Sequence, residues 1–164
     1  EVAAVFVDYT PSPEAKYPQA VDEIYAAVKW VAENDAELDL DRRRMALVGN
    51  SAGGNMALAA ALLAKKRHAP AVRALVLLWP VTSASSDWKS YALYGGERFL
   101  TAPLMKWMFD RYTTDARDEA GVETTTVRFN GVIHDWGMLN GFARLAPTRD
   151  LILFAAAVLR HRLR

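Results

Sequence analysis

The chain has 164 residues, of which 52% are hydrophobic, and this is enough apolar surface for one core and a single domain over residues 1–164. The net charge of +1 excludes a field strong enough to collect nucleic acid or anionic lipid. The absence of cysteine excludes disulfides, thiolate metal sites and a cysteine nucleophile, and it fits a cytoplasmic location. The longest apolar runs, 56–64 and 151–159, are too short to span a bilayer.

Strand-like and helix-like patterns alternate along the chain. An apolar, β-branched run predicts a buried strand over residues 2–9, and a chain that opens on a strand without methionine is expected to belong to a longer protein. Similar runs predict strands over 44–49, 72–79 and 124–129, and periodicities of three and four predict helices over 14–35, 53–67, 104–112 and 148–164. Thr148 is the predicted N-cap of the last helix. The alternation predicts an α/β fold whose parallel sheet has helices on both faces.

Residues 49–53 read Gly-Asn-Ser-Ala-Gly, between a predicted strand and a predicted helix. On such a turn the backbone of Ser51 is forced into an unfavourable conformation that exposes its Oγ, and the flanking glycines keep side chains away. The Ala52 N–H at the helix N-terminus is a candidate oxyanion donor. A phosphate-binding glycine loop is the alternative, but no Lys-Ser/Thr follows. The pattern therefore predicts that Ser51 is a nucleophile.

A serine nucleophile needs a base within hydrogen-bonding reach, and the chain has three histidines. His68 and His161 lie among basic residues at helix ends and are predicted to be solvated. His134 follows the fourth predicted strand, at the sheet edge where parallel sheets place their active sites. The order of serine before histidine also agrees with a hydrolase, so His134 is the predicted base.

The acid that should orient the histidine is not evident. Several carboxylates lie between Ser51 and His134, but none directly follows an apolar strand: Asp87, Asp110, Asp115, Asp118, Glu119 and Glu123. Asp135 adjoins His134, but adjacent side chains diverge in most loops, so Asp135 is expected either to be solvated or to support the site without contacting the substrate. The catalytic acid therefore remains unassigned.

Several stretches resemble the hormone-sensitive-lipase-like bacterial esterases of the α/β-hydrolase fold. They are Val-Phe-Val-Asp-Tyr-Thr-Pro at 5–11, Leu-Val-Gly-Asn-Ser-Ala-Gly-Gly-Asn at 47–55, Leu-Trp-Pro-Val at 78–81, Phe-Leu-Thr at 99–101 and Phe-Asn-Gly-Val-Ile-His at 129–134. The resemblance implies a carboxylester hydrolase with Ser51 as nucleophile and His134 as base. It implies no metal or organic cofactor and a small hydrophobic ester as substrate.

Two features of that family are missing from this sequence. The His-Gly-Gly loop that completes the oxyanion hole would precede residue 1, and the helix and strand with the catalytic Asp would fall near 115–119. The separation of Ser51 and His134 is shorter than the family's by on the order of 30 residues, about one βα unit. Either the remaining strands close up in a new order, or the folded molecule contains residues absent here. One of the two must hold, because unpaired gaps inside a buried sheet are costly. The second explanation is preferred.

The aromatic-rich segment 82–114 has no strand pattern and is predicted to form a lid and acyl pocket. Trp88, Tyr91 and Phe99 are the candidate pocket residues, although ordinary core packing also explains such aromatics. The leading prediction is an esterase that works through an acyl-enzyme. The alternative is a small-molecule binding module that keeps the hydrolase fold without turnover, which the missing acid and oxyanion loop would favour.

Overall fold

The computed structural model describes residues 2–82, 89–96, 99–113 and 146–163. The elements in this part of the chain are α1 (Gln19–Glu33), a 3-10 turn (Arg42–Arg44), β1 (Ala46–Asn50), α2 (Ser51–Lys66), β2 (Ala74–Leu78), α3 (Lys89–Tyr94), α4 (Ala102–Tyr112) and α5 (Ala146–Arg162). The fourth predicted strand, 124–129, lies outside the described residues. Each helix in the described ranges is too short or too polar to cross a bilayer.

The two described strands form a parallel pair joined by a helical crossover. Their register runs from Ala46 opposite Ala74 to Asn50 opposite Leu78. Helix α2 connects them and packs against both strands, while α5 contacts β2. This is the βαβ arrangement that the alternating sequence pattern predicts. Because the strands are parallel, the chain leaves β1 and β2 at the same edge of the sheet.

Helices α1 and α2 meet in the main apolar cluster. Val21, Ile24 and Val28 of α1 are spaced at three and four, and they pack against Met56 and Ala60 of α2. Ala60 is only 1% exposed. The small residues along α2 let the neighbouring helix and strands approach closely, which places the first turn of α2 on a rigid support.

The predicted strand over residues 2–9 is wrong as a hydrogen-bonded strand, because the sheet in the described residues contains only β1 and β2. Val7 and Tyr9 do pack against the α1–α2 cluster. Val5 and Phe6 are exposed, Phe6 by 92%. A strand forms only where a neighbour supplies a ladder of backbone partners, and apolar patterning cannot supply that neighbour.

The end of this segment is attached to α1 through one carboxylate. Glu23 accepts hydrogen bonds from the Thr10 N–H at 2.7 Å and the Thr10 hydroxyl at 3.0 Å, and Gln19 donates a third at 2.9 Å. The bond from the Thr10 N–H contributes most to lowering the pKa of Glu23 below its usual value, followed by the bond from Gln19. These bonds hold Thr10 against the first turns of α1.

Two predicted helix starts differ from the structure, and proline accounts for both. Helix α1 begins at Gln19 rather than 14, because the residue before Pro18 is disfavoured in helical conformation, and residues 11–15 form a separate turn. Helix α5 begins at Ala146, so Thr148 lies inside the helix and is not its N-cap. Proline suits the first turn of a helix, and Pro147 marks that start.

A second carboxylate organises the entry into β1. Asp41 accepts from the N–H of Arg43 at 3.0 Å and pairs with the guanidinium groups of Arg43 at 2.9 Å and Arg44 at 3.0 Å. The hydrogen bond from the Arg43 side chain is the largest cause of the strongly lowered pKa of Asp41. The capped 3-10 turn directs the chain into β1.

Candidate active site

Ser51 lies where β1 passes directly into α2. Asn50 is the last residue of β1 and the N-cap of α2, and Ser51 is the first helical residue. The φ of Ser51 is 50°, in the left-handed region that residues with a Cβ rarely adopt. This is the strained strand-to-helix turn that the sequence predicts for a serine nucleophile. The catalytic role of Ser51 stays a prediction.

The glycines around this turn have different steric roles. A Cβ on Gly49 would overlap the carbonyl oxygen of Gly53 and lie 2.8 Å from the nitrogen of Gly54. A Cβ on Gly54 would lie 3.0 Å from the Cβ of Pro80. A Cβ on Gly53 would meet no described atom within 4 Å. The sequence interpretation that the flanking glycines keep the turn clear is therefore confirmed for Gly49, whereas among the described residues nothing crowds the Cβ position of Gly53.

The N-terminus of α2 supplies backbone donors beside Ser51. The first amides of a helix have no partner within the helix, and the helix dipole places partial positive charge at this end. Ala52 is the second residue of α2 and is exposed. Its position suits the predicted oxyanion donor, a role that stays a prediction.

The chain also turns sharply at the end of β2, beside Ser51. Trp79 has a φ of 37°, a second left-handed residue with a side chain, and Pro80 follows it. The N–H of Val81 then donates to the carbonyl oxygen of Ser51 at 3.4 Å. The loop after β2 is thus bonded to the nucleophile turn. The Leu-Trp-Pro-Val stretch was noticed in the sequence, but the conformation of Trp79 could not be read from it.

Asn55 was missed by the sequence reasoning as a site residue. Its side-chain Nδ2 donates to the carbonyl oxygen of Val81 at 2.9 Å, and its Oδ1 accepts from the hydroxyl of Tyr112 at 3.3 Å. Asn55 stands four residues after Ser51, on the same helix face. The available signal was an amide side chain in the first turns of a helix otherwise rich in alanine.

The other predicted site residues are placed only in part. His134, Trp88 and the carboxylates near 115–123 lie outside the described residues. Tyr91 is half-buried in α3, and Phe99 is 71% exposed. His68 and His161 are exposed, which confirms their predicted surface position. Asp110 is paired with Lys106 at 2.8 Å on an exposed face of α4.

The fold and the turn define a class of protein: an α/β chain with a serine at a strained strand-to-helix junction. This chain belongs to the α/β-hydrolase fold family, whose sequence model matches residues 1–119. The fold class and the resemblance predicted from the sequence are thereby confirmed.

Curated relatives extend this assignment. A putative α/β hydrolase of Acanthamoeba polyphaga mimivirus is 29% identical over 192 residues, covering 90% of this chain and 56% of the relative. An ethyl acetate hydrolase of Pseudomonas putida is 35% identical over 71% of this chain and 37% of the relative. The chain thus spans 37% to 56% of the length of these two proteins.

The match to the viral relative spans more positions than this chain has residues. It runs over 192 residues, more than the 164 of this chain, so the relative carries additional residues inside the matched stretch. The family model ends its match at residue 119, in the region where the sequence predicts a missing βα unit. Both observations agree with a deficit inside the chain, whose predicted position lies outside the described residues.

Solved esterases have the same fold. A thermostable esterase from Pseudomonas putida ECU1011 has a TM-score of 0.88 at 37% identity, over 96% of this chain and 63% of its own. Esterase rPPE, with a TM-score of 0.89, has been solved as a serine-to-alanine variant with (S)-Ac-CPA and as a variant that also replaces a tryptophan by histidine. Those two substituted residues lie 28 positions apart. Ser51 and Trp79 of this chain have the same separation.

Proposed function

We propose that the protein hydrolyses small hydrophobic acyl esters through an acyl-enzyme on Ser51. The observation that carries this proposal is the φ of 50° at Ser51, where β1 enters α2. A strained serine at this position costs folding free energy, and such strain is typical of catalytic nucleophiles. The names of the similar proteins, which include ethyl acetate hydrolase and esterase, support ester hydrolysis over a binding module without turnover.

The reaction steps follow from the roles proposed for Ser51, Ala52 and His134. Ser51 Oγ attacks the ester carbonyl carbon while His134 accepts the hydroxyl proton. The Ala52 N–H donates to the oxyanion of the tetrahedral intermediate. The C–O bond to the alcohol then breaks, and His134 returns the proton to the leaving oxygen. Water, deprotonated by His134, then attacks the acyl carbon, the bond from that carbon to Ser51 Oγ breaks, and His134 returns the proton to Oγ as the carboxylic acid leaves.

The pocket is proposed to involve the segment 82–114, with Trp88, Tyr91 and Phe99 in contact with the acyl group. The bond from Tyr112 to Asn55 supports this proposal, because it ties the end of α4 to the helix that begins at Ser51. The position of Trp79 at the end of β2, two residues before the Val81 N–H that donates to the Ser51 carbonyl oxygen, supports adding Trp79 to the pocket. We further propose a cytoplasmic location on the basis of the cysteine-free sequence, testable by cell fractionation.

The proposal is tested by hydrolysis of p-nitrophenyl acetate and butyrate. Ser51→Ala is expected to abolish turnover, and Ser12→Ala, which removes a hydroxyl bonded to the Ala15 carbonyl outside this turn, is expected to retain it. His134→Gln is expected to lower kcat by orders of magnitude. His161→Gln is its matched control, since His161 is exposed in the last turn of α5. Equal rates for the parent and Ser51→Ala would defeat the proposal.

A further inference from the structure

The peptide groups of Val81 are held on both sides by the helix that carries Ser51. The N–H of Val81 donates to the Ser51 carbonyl oxygen at 3.4 Å, and its C=O accepts from Asn55 Nδ2 at 2.9 Å. The first bond is long and therefore weak, so the bond from Asn55 is the stronger of the two. Together they fix the loop after β2 against one turn of α2.

The orientation of the Asn55 amide is determined by its partners. The Val81 carbonyl oxygen can only accept, so the NH₂ group must face it. This leaves Oδ1 to accept from the Tyr112 hydroxyl at 3.3 Å. Both halves of the amide are therefore used, and neither a carboxylate nor an apolar side chain of the same size reproduces the pair.

Tyr112 carries the connection to a third segment. Its carbonyl oxygen accepts from the Tyr17 N–H at 2.7 Å, and the two tyrosine rings pack at 5.8 Å between centroids. Lys16 also donates to the carbonyl oxygen of Asp110 at 3.4 Å. The C-terminal end of α4 is thus bonded both to α2 and to the loop that precedes α1.

We infer that Asn55 is a positioning residue that holds the loop after β2 and the end of α4 in fixed places relative to Ser51. Its effect on catalysis rests on the proposed ester hydrolysis, whereas the two hydrogen bonds do not. Through Val81 it sets where Trp79 and Pro80 lie beside the nucleophile turn. Through Tyr112 it anchors α4, which is part of the proposed pocket segment 82–114.

Two substitutions remove the two hydrogen bonds of the Asn55 side chain one at a time. Asn55→Asp keeps an acceptor for the Tyr112 hydroxyl but places a carboxylate oxygen against the Val81 carbonyl, so only the loop after β2 is released. Tyr112→Phe keeps the aromatic ring and removes the hydroxyl that donates to Asn55. Tyr25→Phe is the matched control, because it removes a tyrosine hydroxyl that donates to the Ala69 carbonyl at 3.0 Å.

Hydrogen exchange of the full chain, read by mass spectrometry, tests the contact without requiring activity. Asn55→Asp is expected to raise exchange in residues 79–82 by about five- to tenfold relative to Tyr25→Phe, with 110–113 unchanged. Tyr112→Phe is expected to raise exchange in 110–113 with 79–82 unchanged. Exchange in these segments equal to that of Tyr25→Phe in both variants would overturn the inference.

Kinetics with p-nitrophenyl butyrate tests the consequence. Asn55→Asp is expected to lower kcat more than it raises KM, because it shifts groups beside the nucleophile, whereas Tyr112→Phe is expected mainly to raise KM. If the two variants show the expected exchange pattern but the parent shows no Ser51-dependent turnover, the contact is supported and the proposed function is defeated. If the parent hydrolyses the ester but the variants lack the exchange pattern, the proposed function is supported and the inference about Asn55 is overturned.

Discussion

Ser51 and Trp79 occupy matching positions at the ends of the two paired strands. Each follows the last paired residue of its strand, Asn50 or Leu78, and each has a positive φ, 50° and 37°. A left-handed backbone costs a residue with a Cβ about 1–2 kcal/mol. Two left-handed residues therefore lie at one sheet edge, and Val81 joins the two turns by donating to the Ser51 carbonyl oxygen and accepting from the Asn55 amide, both in α2.

Substitution by alanine should lower the free energy of unfolding at Gly49 more than at Gly53. Gly49→Ala is expected to lower the free energy of unfolding by about 1–3 kcal/mol, because its Cβ would overlap the Gly53 carbonyl. Gly53→Ala should change stability by no more than about 1 kcal/mol, with a gain in helix propensity. Urea unfolding of both variants measures the difference. A loss at Gly53 as large as at Gly49 would contradict the assigned steric roles.

The backbone strain at Ser51 should appear as a difference in stability between two variants that both lack the hydroxyl. Ser51→Gly and Ser51→Ala both remove the proposed nucleophile, but only glycine relieves the positive φ. We expect Ser51→Gly to be more stable than Ser51→Ala by about 1 kcal/mol. Thermal unfolding of the two variants side by side gives this difference. An alanine variant as stable as the glycine variant would mean that the turn is not strained.

The Glu23 carboxylate should make stability depend on acid pH. Its pKa is lowered in the folded chain, chiefly by the hydrogen bond from the Thr10 N–H, so its contribution is complete above the unfolded value of about 4.5. That contribution is lost as the pH falls through the folded pKa. The parent should therefore lose more stability than Glu23→Gln between about pH 6 and pH 3. Glu14→Gln removes an equal charge and serves as control, and it should follow the parent.

Trp79 offers a test of the proposed pocket. Trp79→His would reduce the bulk beside Ser51, so the ratio of kcat/KM for butyrate over acetate esters is expected to rise by about tenfold. The rate on acetate should change less, because the nucleophile and its donor are untouched. Trp30→His, at an exposed position in α1 outside the proposed pocket segment, is the matched control. An unchanged ratio would remove Trp79 from the pocket.

The sequence was sufficient where the signal is local. Gly49 and Ser51 between an apolar run and an alanine-rich helix predicted the turn, and the spacing of Val21, Ile24 and Val28 predicted the buried face of α1. The strand at 2–9 failed because pairing depends on a neighbour remote in sequence. The network of Asn55 was not predictable either, since its partners Val81 and Tyr112 are 26 and 57 residues away.

The most direct test of the account is covalent labelling of Ser51 by a fluorophosphonate, which requires an activated serine rather than a bound ester. Intact-mass analysis of the full chain should show one adduct per molecule, and peptide mapping should place it on Ser51. His134→Gln should slow labelling by orders of magnitude, while His161→Gln should label at the parent rate. A parent that remains unlabelled, or that labels equally after Ser51→Ala, would contradict the assignment of Ser51 as an active nucleophile.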